Sequence, residues 1–537
     1  MQTKIRQVLR YYTLLFLTFC YYNSFSTNYY VNPSGSNSNN GLTTATAFQT
    51  LDYASNQTLP GDTVFAMNGT YINSWPASDV LNITNSGSVS NRIVYKNFPG
   101  QTPIIKLNAN NWAGISINGA DYITIDGFTI VGNNDSITLT YAIAEQLNTN
   151  NPATSGNGIG ITREYNNITN KPHHNIIRNC TISKCGGAGI YGYRADYTTI
   201  ENNTIFECAW YAPFGNSGIS LYQCWNSDSL DIIRNYIIGN TCYRNENYIP
   251  FIAVGSITDG NGIIIDDGRN TQNSSTQGVY LGKTYVANNL IYDNGGRGIH
   301  VYLSDKVVIV NNTCYQNCQS PAIQDGEYTA YSADSIYFVN NIAFPSPGIP
   351  PIDKSNSTTT NLTVDYNLWA TNSSIANPFG TNTITGNPNF ILPSMNASIA
   401  DFHLQALSNA INAGTNSNAP YTDKDGLTRT LPIDIGCFEY QLPLNVSNNL
   451  FVINEFSVYP NPALNIITIQ TNLNESTEFE ICICNLSGQV ILQNNCYSNN
   501  GLIKLDIAEL NNGVYFIKVV DKSNNSMTAK KIFKINY

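Results

Sequence analysis

Short apolar segments alternate with turn residues along most of this chain, and one arrangement of apolar and polar positions recurs. An apolar pair leads to Asn and then to another apolar pair, as in residues 176–182, 286–291 and 309–314. A second arrangement, Gly-Ile followed by apolar residues, falls between these copies. Its glycines are Gly158, Gly189, Gly218, Gly262 and Gly298. Short apolar runs bounded by Gly and Asn are typical of β-strands, so the pattern predicts an all-β chain.

The spacing of the recurring Asn predicts how these strands are arranged. Asn179 and Asn203 are 24 residues apart, and Asn289 and Asn312 are 23 apart. This is the length of one coil of a parallel β-helix, in which buried Asn side chains form ladders at the turns. The predicted ladder residues are Asn179, Asn203, Asn235, Asn289, Asn312 and Asn341. Longer gaps predict insertions at residues 245–259 and 269–283, which become loops on one face of a solenoid, often the binding face.

The N-terminus has the order of a secretory signal peptide over residues 1–26. A basic start is followed by the short apolar run 11–22 and by small residues before the expected cleavage after Ser26. The apolar run is shorter than the ~20 residues that span a bilayer. We therefore expect an exported protein that does not span a membrane after processing.

The last 80 or so residues no longer follow the repeat pattern. They predict a separate small β-sandwich at residues 455–537, after a linker at 442–454. Alternating strands are separated by turn signals, in the segments YPNPALNIITI (459–469), NLSGQVI (485–491), LNNGVYFIKV (510–519) and KKIFK (530–534). These segments, in this order, resemble the C-terminal sorting domain of type IX secretion cargo. The resemblance implies an Ig-like fold, the type IX secretion machinery as a partner, and release from the cell or attachment to its surface.

The beginning and end of the repeat region resemble right-handed parallel β-helix proteins of the pectate-lyase-like superfamily. The opening motifs lie at residues 28–35, 47–51 and 60–71, and the motifs of a closing segment lie at 387–390, 410–414, 423–426 and 433–440. The resemblance implies a right-handed parallel β-helix at residues 27–385, capped by a short amphipathic helix and closed by residues 386–441. It does not decide the reaction, because this superfamily includes lyases, hydrolases, epimerases and adhesins.

Composition narrows the class of partner. Only 12% of the 537 residues are charged, the formal net charge is -10, and about one residue in seven is Asn. A nucleic-acid surface needs clustered Lys and Arg, so this balance argues against nucleic acid. Eleven cysteines follow the predicted signal peptide, and their scattered spacing favours buried packing residues with one or two disulfides rather than a zinc site.

Strand alternation predicts which side chains leave the coil. If the Ile of each Gly-Ile pair points inward, the residue three positions after it points outward. This outward column consists of Tyr193, Tyr222, Asp266 and Tyr302. Tyrosine rings pack on the apolar faces of pyranoses, so Tyr193, Tyr222 and Tyr302 are candidate sugar-binding residues; the alternative is a stack that only stabilises the sheet.

The densest group of ionisable residues lies between Asp259 and Lys306. Adjacent Asp266 and Asp267 are candidate ligands of Ca²⁺, which prefers carboxylate oxygens. Elimination at a uronate needs its carboxylate neutralised and a base for the adjacent proton, so Arg269 or Arg297 could neutralise and His300 or Lys306 could be the base. The alternatives are hydrolysis by paired carboxylates and a cluster of solvated turn residues. A second group contains Arg163, Glu164, Lys171, His173, His174 and Arg194.

Together these features predict a monomeric, exported or surface-attached protein whose partner is an extracellular polysaccharide. The first hypothesis is a polysaccharide lyase that cleaves a uronate-containing glycan by β-elimination. The alternatives are a β-helix glycoside hydrolase and a non-catalytic glycan-binding adhesin.

Overall fold

The computed structural model describes residues 26–164, 167–353, 358–370, 380–441, 456–471, 478–485, 489–522 and 526–535. The chain divides into two compact units, Met1–Tyr440 and Gln441–Tyr537. The predicted signal peptide, apart from Ser26, and the predicted linker lie outside the described residues.

The described part of the first unit contains 33 strands, three short α-helices and three 3₁₀ turns. The helices are α1 (Leu51–Ser55), α2 (Leu139–Ala144) and α3 (Pro152–Ser155), and the 3₁₀ turns are Thr44–Thr46, Asn134–Ser136 and Gln272–Ser274. The first strands are β1 (Asn28–Val31), β2 (Thr63–Ala66), β3 (Thr70–Tyr71), β4 (Ser78–Ile83), β5 (Ile93–Asn97), β6 (Ile104–Lys106), β7 (Asn111–Asn118), β8 (Ile123–Asp126), β9 (Thr129–Val131), β10 (Asn157–Thr162), β11 (Ile176–Arg178), β12 (Thr181–Ser183), β13 (Ile190–Tyr193), β14 (Thr199–Glu201), β15 (Thr204–Phe206) and β16 (Ile219–Tyr222). The remaining strands are β17 (Ile233–Ile238), β18 (Thr241–Tyr243), β19 (Ile263–Asp266), β20 (Lys283–Ala287), β21 (Leu290–Tyr292), β22 (Ile299–Tyr302), β23 (Asp305–Val310), β24 (Thr313–Tyr315), β25 (Tyr328–Tyr331), β26 (Asp334–Val339), β27 (Ile342–Phe344), β28 (Ile352–Asp353), β29 (Thr360–Asp365), β30 (Leu368–Trp369), β31 (Ile384–Thr385), β32 (Phe390–Leu392) and β33 (Asp401–Leu404).

Three long parallel sheets form the solenoid, which confirms the predicted parallel β-helix. Sheet A has the order β1-β2-β5-β8-β11-β14-β17-β20-β23-β26-β29, and sheet B has the order β3-β6-β9-β12-β15-β18-β21-β24-β27-β30-β31. Sheet C has the order β28-β25-β22-β19-β16-β13-β10-β7-β4. Each central coil contributes one strand to each sheet, so between β2 and β30 the strands that pair are three apart in sequence and belong to successive coils.

The Gly-Ile pattern has a packing cause in sheet C. Ile190, Ile219, Ile263 and Ile299 pair in register from coil to coil and are fully buried. The preceding glycine lies so close to a strand of sheet B that no side chain fits. A Cβ on Gly189 would lie 2.3 Å from Ile205 Cγ2, and one on Gly262 would lie 2.3 Å from Ile291 Cγ2. Glycine therefore permits the close approach that buries the isoleucine column.

The turn between sheets A and B carries a ladder of buried Asn side chains. Asn289 donates from its backbone N and its Nδ2 to Asn312 Oδ1, at 3.0 and 2.9 Å. Asn312 repeats both bonds to the next Asn. The ladder consists of Asn203, Asn240, Asn289, Asn312, Asn341 and Asn367.

Two predicted ladder positions, Asn179 and Asn235, were wrong. The turn uses two consecutive residues: the first has a left-handed backbone conformation, and the side chain of the second points into the coil. Asn179 is the first of such a pair, with φ 54°, and the inward position belongs to the buried Cys180. Asn235 lies inside β17, and Gly239, with φ 69°, precedes the true ladder residue Asn240.

A second Asn ladder lies in the turn that leads from sheet B to sheet C. Asn245, Asn294 and Asn317 form it with the same paired bonds, and it ends on Glu327, which accepts from the backbone N and the Nδ2 of Asn317. Glu327 is fully buried, and burial raises its pKa to about 8. Its carboxyl group is therefore neutral at neutral pH.

This buried carboxyl predicts a loss of stability as pH rises. The pKa of Glu327 is raised in the folded chain, so its contribution is complete below its usual value and is lost as pH increases toward about 8. Between those values the free energy of unfolding should fall by up to about 1.4 kcal/mol per pH unit. Denaturant unfolding of the wild type and of Glu327→Gln across this range measures the slope. A slope that the substitution leaves unchanged would contradict this role for Glu327.

A short helix caps the first coil, as the resemblance implied. Thr50 Oγ1 accepts from Tyr53 N at the start of α1, which buries Leu51 and Ala54 against the first coils. The antiparallel pair β32 and β33 packs with residues 410–440 against sheet B, in an apolar cluster that includes Tyr292, Tyr315 and Leu368.

The cysteines are packing residues, and the expected disulfides are absent. All eleven that follow the predicted signal peptide are free thiols, and nine are buried. In the ladder turn, for example, the buried Cys180 takes the place that Asn occupies in other coils, and its backbone N donates to Asn203 Oδ1 at 2.9 Å.

The second unit has two antiparallel sheets around one core, consistent with the predicted sandwich. Its strands are β34 (Ser457–Tyr459), β35 (Ile466–Gln470), β36 (Glu478–Cys484), β37 (Val490–Tyr497), β38 (Leu502–Asp506), β39 (Gly513–Asp521) and β40 (Ser526–Lys534). The sheet orders are β34-β35-β38 and β37-β36-β39-β40. Inward residues of both sheets, such as Ile467, Phe479 and Ile517, share one buried cluster.

Candidate active site

The outer face of sheet C carries the predicted tyrosine column. Tyr193 pairs with Tyr222, Tyr222 with Asp266, and Asp266 with Tyr302, each one coil further on. The column continues to Tyr331. The rings of Tyr193 and Tyr222 stack, with centroids 5.6 Å apart and planes at 15°. A sugar-binding role for these tyrosines stays a prediction.

A pocket of about 500 Å³ opens on this face. Aromatic side chains form much of its wall: Trp112, Tyr191, Tyr193, Phe214, Tyr222 and Phe251. Amides and hydroxyls are interspersed among them: Ser155, Asn157, Asn216, Ser220, Gln272 and Asn273. Its described lining residues include two carboxylates, Asp259 and Asp266, and no Lys, Arg or His. Such a mixture of ring faces and polar groups suits a sugar, which has apolar C–H faces and hydroxyl edges.

The two predicted insertions build part of the wall. The first contributes Phe251, Ile252, Ala253 and Asp259, and the second contributes Gln272 and Asn273. Asn273 Nδ2 donates to the hydroxyl oxygen of Tyr222 at 2.7 Å, so the second loop is tied to the tyrosine column.

Asp266 ends strand β19 with its side chain toward the pocket. One of its oxygens accepts from Gln272 Nε2 at 3.0 Å. Burial, and then the negative charges of Asp259 and Asp267, hold the pKa of Asp266 well above its usual value. A raised pKa favours the protonated form of this carboxyl group, which is the form of a general acid.

Asp259 faces the same pocket from a different environment. Its oxygens accept from Thr258 Oγ1 at 2.7 Å and from Asn261 Nδ2 at 2.9 Å. Burial raises the pKa of Asp259, but these two bonds and the charge of Arg297 oppose the shift. Gly215 lies directly against this carboxylate, since a Cβ there would be 2.3 Å from Asp259 Oδ2.

Asp267 points away from Asp266 and is part of the loop structure. It is fully buried, and its oxygens accept from Gln223 Nε2, Thr271 N and Gln272 N, each at 2.8 Å. Asp266 and Asp267 therefore do not form an acid pair. Among the described residues no group of three or more His, Cys, Asp or Glu is placed to hold a metal ion, and the calcium site remains a prediction.

Arg297 and His300 lie at the start of β22, beside the acidic pocket but outside its lining. Arg297 forms an ion pair with Asp325 and donates to the Thr258 carbonyl oxygen at 2.8 Å. His300 Nδ1 lies 2.5 Å from Thr329 Oγ1, and its ring is 5.8 Å from that of Tyr302. Burial, with the charge of Arg297, holds the pKa of His300 well below its usual value, so the imidazole is neutral.

The other two predicted basic residues are engaged elsewhere. Arg269 forms a two-point ion pair with Asp305, at 2.9 and 2.8 Å. Lys306 reaches Asp231 at 3.1 Å. Neither residue lines the pocket, so the structure brings Asp266, Tyr193 and Tyr222 together but not Arg269 and Lys306.

A family model described as the Pel9A-like right-handed β-helix region matches residues 29–333, more than half of the chain. This chain belongs to the Pel9A-like β-helix family. The Pel9A-like region contains the whole pocket, including both carboxylates. A second match, the secretion system C-terminal sorting domain, covers residues 457–535 and directs type IX secretion to the cell surface or the extracellular space.

Several solved structures are similar to this Pel9A-like chain at low identity. Pectate lyase Pel9A is 18% identical, with 78% of this chain and 98% of that chain covered and a TM-score of 0.46. A rhamnogalacturonan lyase is 16% identical, with 68% and 91% covered and a TM-score of 0.40. The GH136 lacto-N-biosidase of Eubacterium ramulus is 11% identical, with 64% and 67% covered and a TM-score of 0.36. A search of curated proteins gave no match. Within the described ranges, no helix has the length and apolar character needed to cross a membrane.

Sequence reasoning missed the partner of Asp266. Asp259 is one of many ionisable residues in the sequence, and nothing in its own segment indicates that the first loop folds back over sheet C. The same holds for Trp112 and Phe214, which reach the pocket from other coils.

Proposed function

We propose that this chain is a secreted glycoside hydrolase whose active site is the pocket on sheet C. The observation that carries the proposal is that two carboxyl groups, Asp259 and Asp266, face one aromatic-walled pocket in unlike environments. Glycosidic hydrolysis uses such a pair, one protonated and one ionised.

The environments assign a role to each carboxyl group. Asp266, whose pKa is held higher, gives its proton to the oxygen of the leaving sugar as the glycosidic bond breaks. Asp259, stabilised by Thr258, Asn261 and the charge of Arg297, acts as the carboxylate on the other side of the anomeric carbon. It either attacks that carbon or takes a proton from the attacking water, and the anomeric form of the product distinguishes these routes.

The pocket wall supports a substrate unit that binds through ring stacking and hydroxyl contacts. The stacked rings of Tyr193 and Tyr222 offer a flat surface, and Asn157, Asn216 and Gln272 offer donors and acceptors for hydroxyls. With the Asp259 carboxylate, the acid Asp266 and no described cation in its lining, the pocket favours a neutral unit over a uronate at the reacting position.

A second candidate reaction is β-elimination at a uronate. Its support is the adjacency of Arg297 and the neutral His300 next to the pocket, together with membership of the Pel9A-like family. Arg297 would neutralise the uronate carboxylate, and His300 would accept the adjacent proton. Arg297 already pairs with Asp325, and His300 is 95% buried, so this arrangement must open before it can act.

Incubation of the purified chain with a panel of neutral and uronate-containing glycans tests the proposal. New reducing ends without ultraviolet absorbance from unsaturated sugars are the expected result. Unsaturated ends would favour β-elimination instead. Binding without any new ends would favour the non-catalytic adhesin and would contradict both reactions.

A further inference from the structure

Three cationic side chains lie together beyond the ends of strands β10 and β13. Arg163 directly follows Thr162, and Arg194 directly follows Tyr193; Thr162 and Tyr193 pair across successive coils. Lys171 lies near enough to Arg194 for their like charges to interact. We refer to Arg163, Lys171 and Arg194 as the basic cluster.

The basic cluster has no acidic partner among the described residues. Other arginines of the β-helix, such as Arg178, Arg234 and Arg269, form ion pairs with aspartates. By contrast, Nε and Nη1 of Arg163 and Nε of Arg194 are buried and donate to no acceptor within the described part of the chain. A buried donor without an acceptor costs free energy that a bound anion would recover.

The neighbouring contacts hold the cluster in place without neutralising it. Lys171 donates to Gln277 Oε1 at 2.7 Å and lies 4.5 Å from the ring centre of Trp225. Burial and the charge of Arg194 both lower the pKa of Lys171. Glu164, the nearest acid in sequence, accepts from Asn170 Nδ2 at 3.0 Å.

The cluster is continuous with the wall of the pocket. The guanidinium of Arg194 lies 4.9 Å from the ring centre of Tyr193, and Tyr193 stacks on Tyr222 inside the pocket. A glycan that stacks on these rings therefore places its next unit beside the basic cluster.

We propose that Arg163, Lys171 and Arg194 form a subsite for an anionic group, a carboxylate or a sulfate, on the sugar unit next to the one in the pocket. The inference rests on the proposed function and names its substrate class: an acidic glycan with a neutral unit at the reacting position. The pairing of guanidinium and ammonium groups with carboxylate or sulfate oxygens gives charge-assisted hydrogen bonds.

Binding measurements in an Asp266→Asn background test the subsite without consuming the probe. The probes are an oligogalacturonate, its carboxyl-reduced counterpart and a sulfated galactan oligosaccharide, each titrated calorimetrically at low and high salt. We expect at least one anionic probe to bind more tightly than the reduced one, with salt weakening that preference. The carboxylated and sulfated probes distinguish the two sources of charge.

Substitutions in the basic cluster form the second part of the binding experiment. Arg163→Gln with Arg194→Gln should weaken binding of the anionic probe about tenfold or more and leave the reduced probe unchanged. Arg178→Gln, which removes a sheet A arginine paired with Asp126, is the matched control and should change neither.

Three outcomes would overturn the subsite: neither anionic probe binds, the reduced probe binds equally well, or the double variant keeps the anion preference. Failure of the hydrolase proposal is distinguishable from failure of the subsite. It appears as an absence of new reducing ends and does not change the binding results. If the wild type hydrolyses glycans but the binding measurements show no preference for anionic probes, only the subsite proposal is contradicted.

Discussion

Asp266→Asn should reduce hydrolysis of a natural glycan by about 10²- to 10⁴-fold, because the amide cannot donate a proton to the leaving oxygen. The change keeps the size of the side chain and replaces a carboxyl group whose pKa is held well above its usual value by burial. The fold and substrate binding should therefore be preserved. Initial rates of reducing-end formation measure the loss, and thermal unfolding checks the fold.

The leaving group provides a sharper test of this role. An aryl glycoside with an acidic phenol needs no protonation, so the same substitution should cost much less on that substrate. Asp231→Asn removes an exposed carboxylate that pairs with Lys306 outside the pocket, and it should leave both rates unchanged. Equal losses on both substrates, or full activity, would show that Asp266 is not the acid.

Asp259→Asn should lower turnover at least as strongly, by about 10³-fold or more, because the reacting carbon loses its carboxylate. Unlike the first substitution, this one should cost as much on aryl glycosides as on natural glycans. The measurement is the ratio of the two losses.

Chemical rescue separates this role from a structural one. In Asp259→Gly, a small anion such as formate can occupy the space of the missing carboxylate and should restore part of the activity. Thr258→Val removes a hydrogen bond to the same carboxylate while leaving it in place, so it should cause a much smaller loss. Rescue that fails in a folded protein, with turnover intact in Asp259→Asn, would exclude Asp259 from the chemistry.

Coil periodicity was enough to predict the solenoid, because the same two structural requirements recur from coil to coil. Gly262 must allow close approach of a sheet B strand, and Asn289 must satisfy buried backbone groups at the ladder turn. The ladder assignment shifted by one position at Asn179 because a left-handed turn residue and a ladder residue are both often Asn. Only the backbone conformation tells them apart.

The site was only partly predictable. Alternation along short strands gave the column of Tyr193, Tyr222 and Asp266, since side-chain direction in a strand is a local property. The partnership of Asp266 with Asp259 depends on a long loop that returns to the sheet, and no local pattern encodes that. The roles expected for Arg269 and Lys306 remain predictions, although each forms an ion pair away from the pocket.

The central claim is that water, rather than elimination, breaks the glycan in the pocket of Asp259 and Asp266. Cleavage in water enriched in ¹⁸O, followed at early times by mass spectrometry, tests this most directly. Hydrolysis predicts fragments whose summed mass equals the substrate plus one water and whose new ends carry one heavy oxygen. Fragments that sum to the substrate mass, with an unsaturated end and no heavy oxygen, would contradict it.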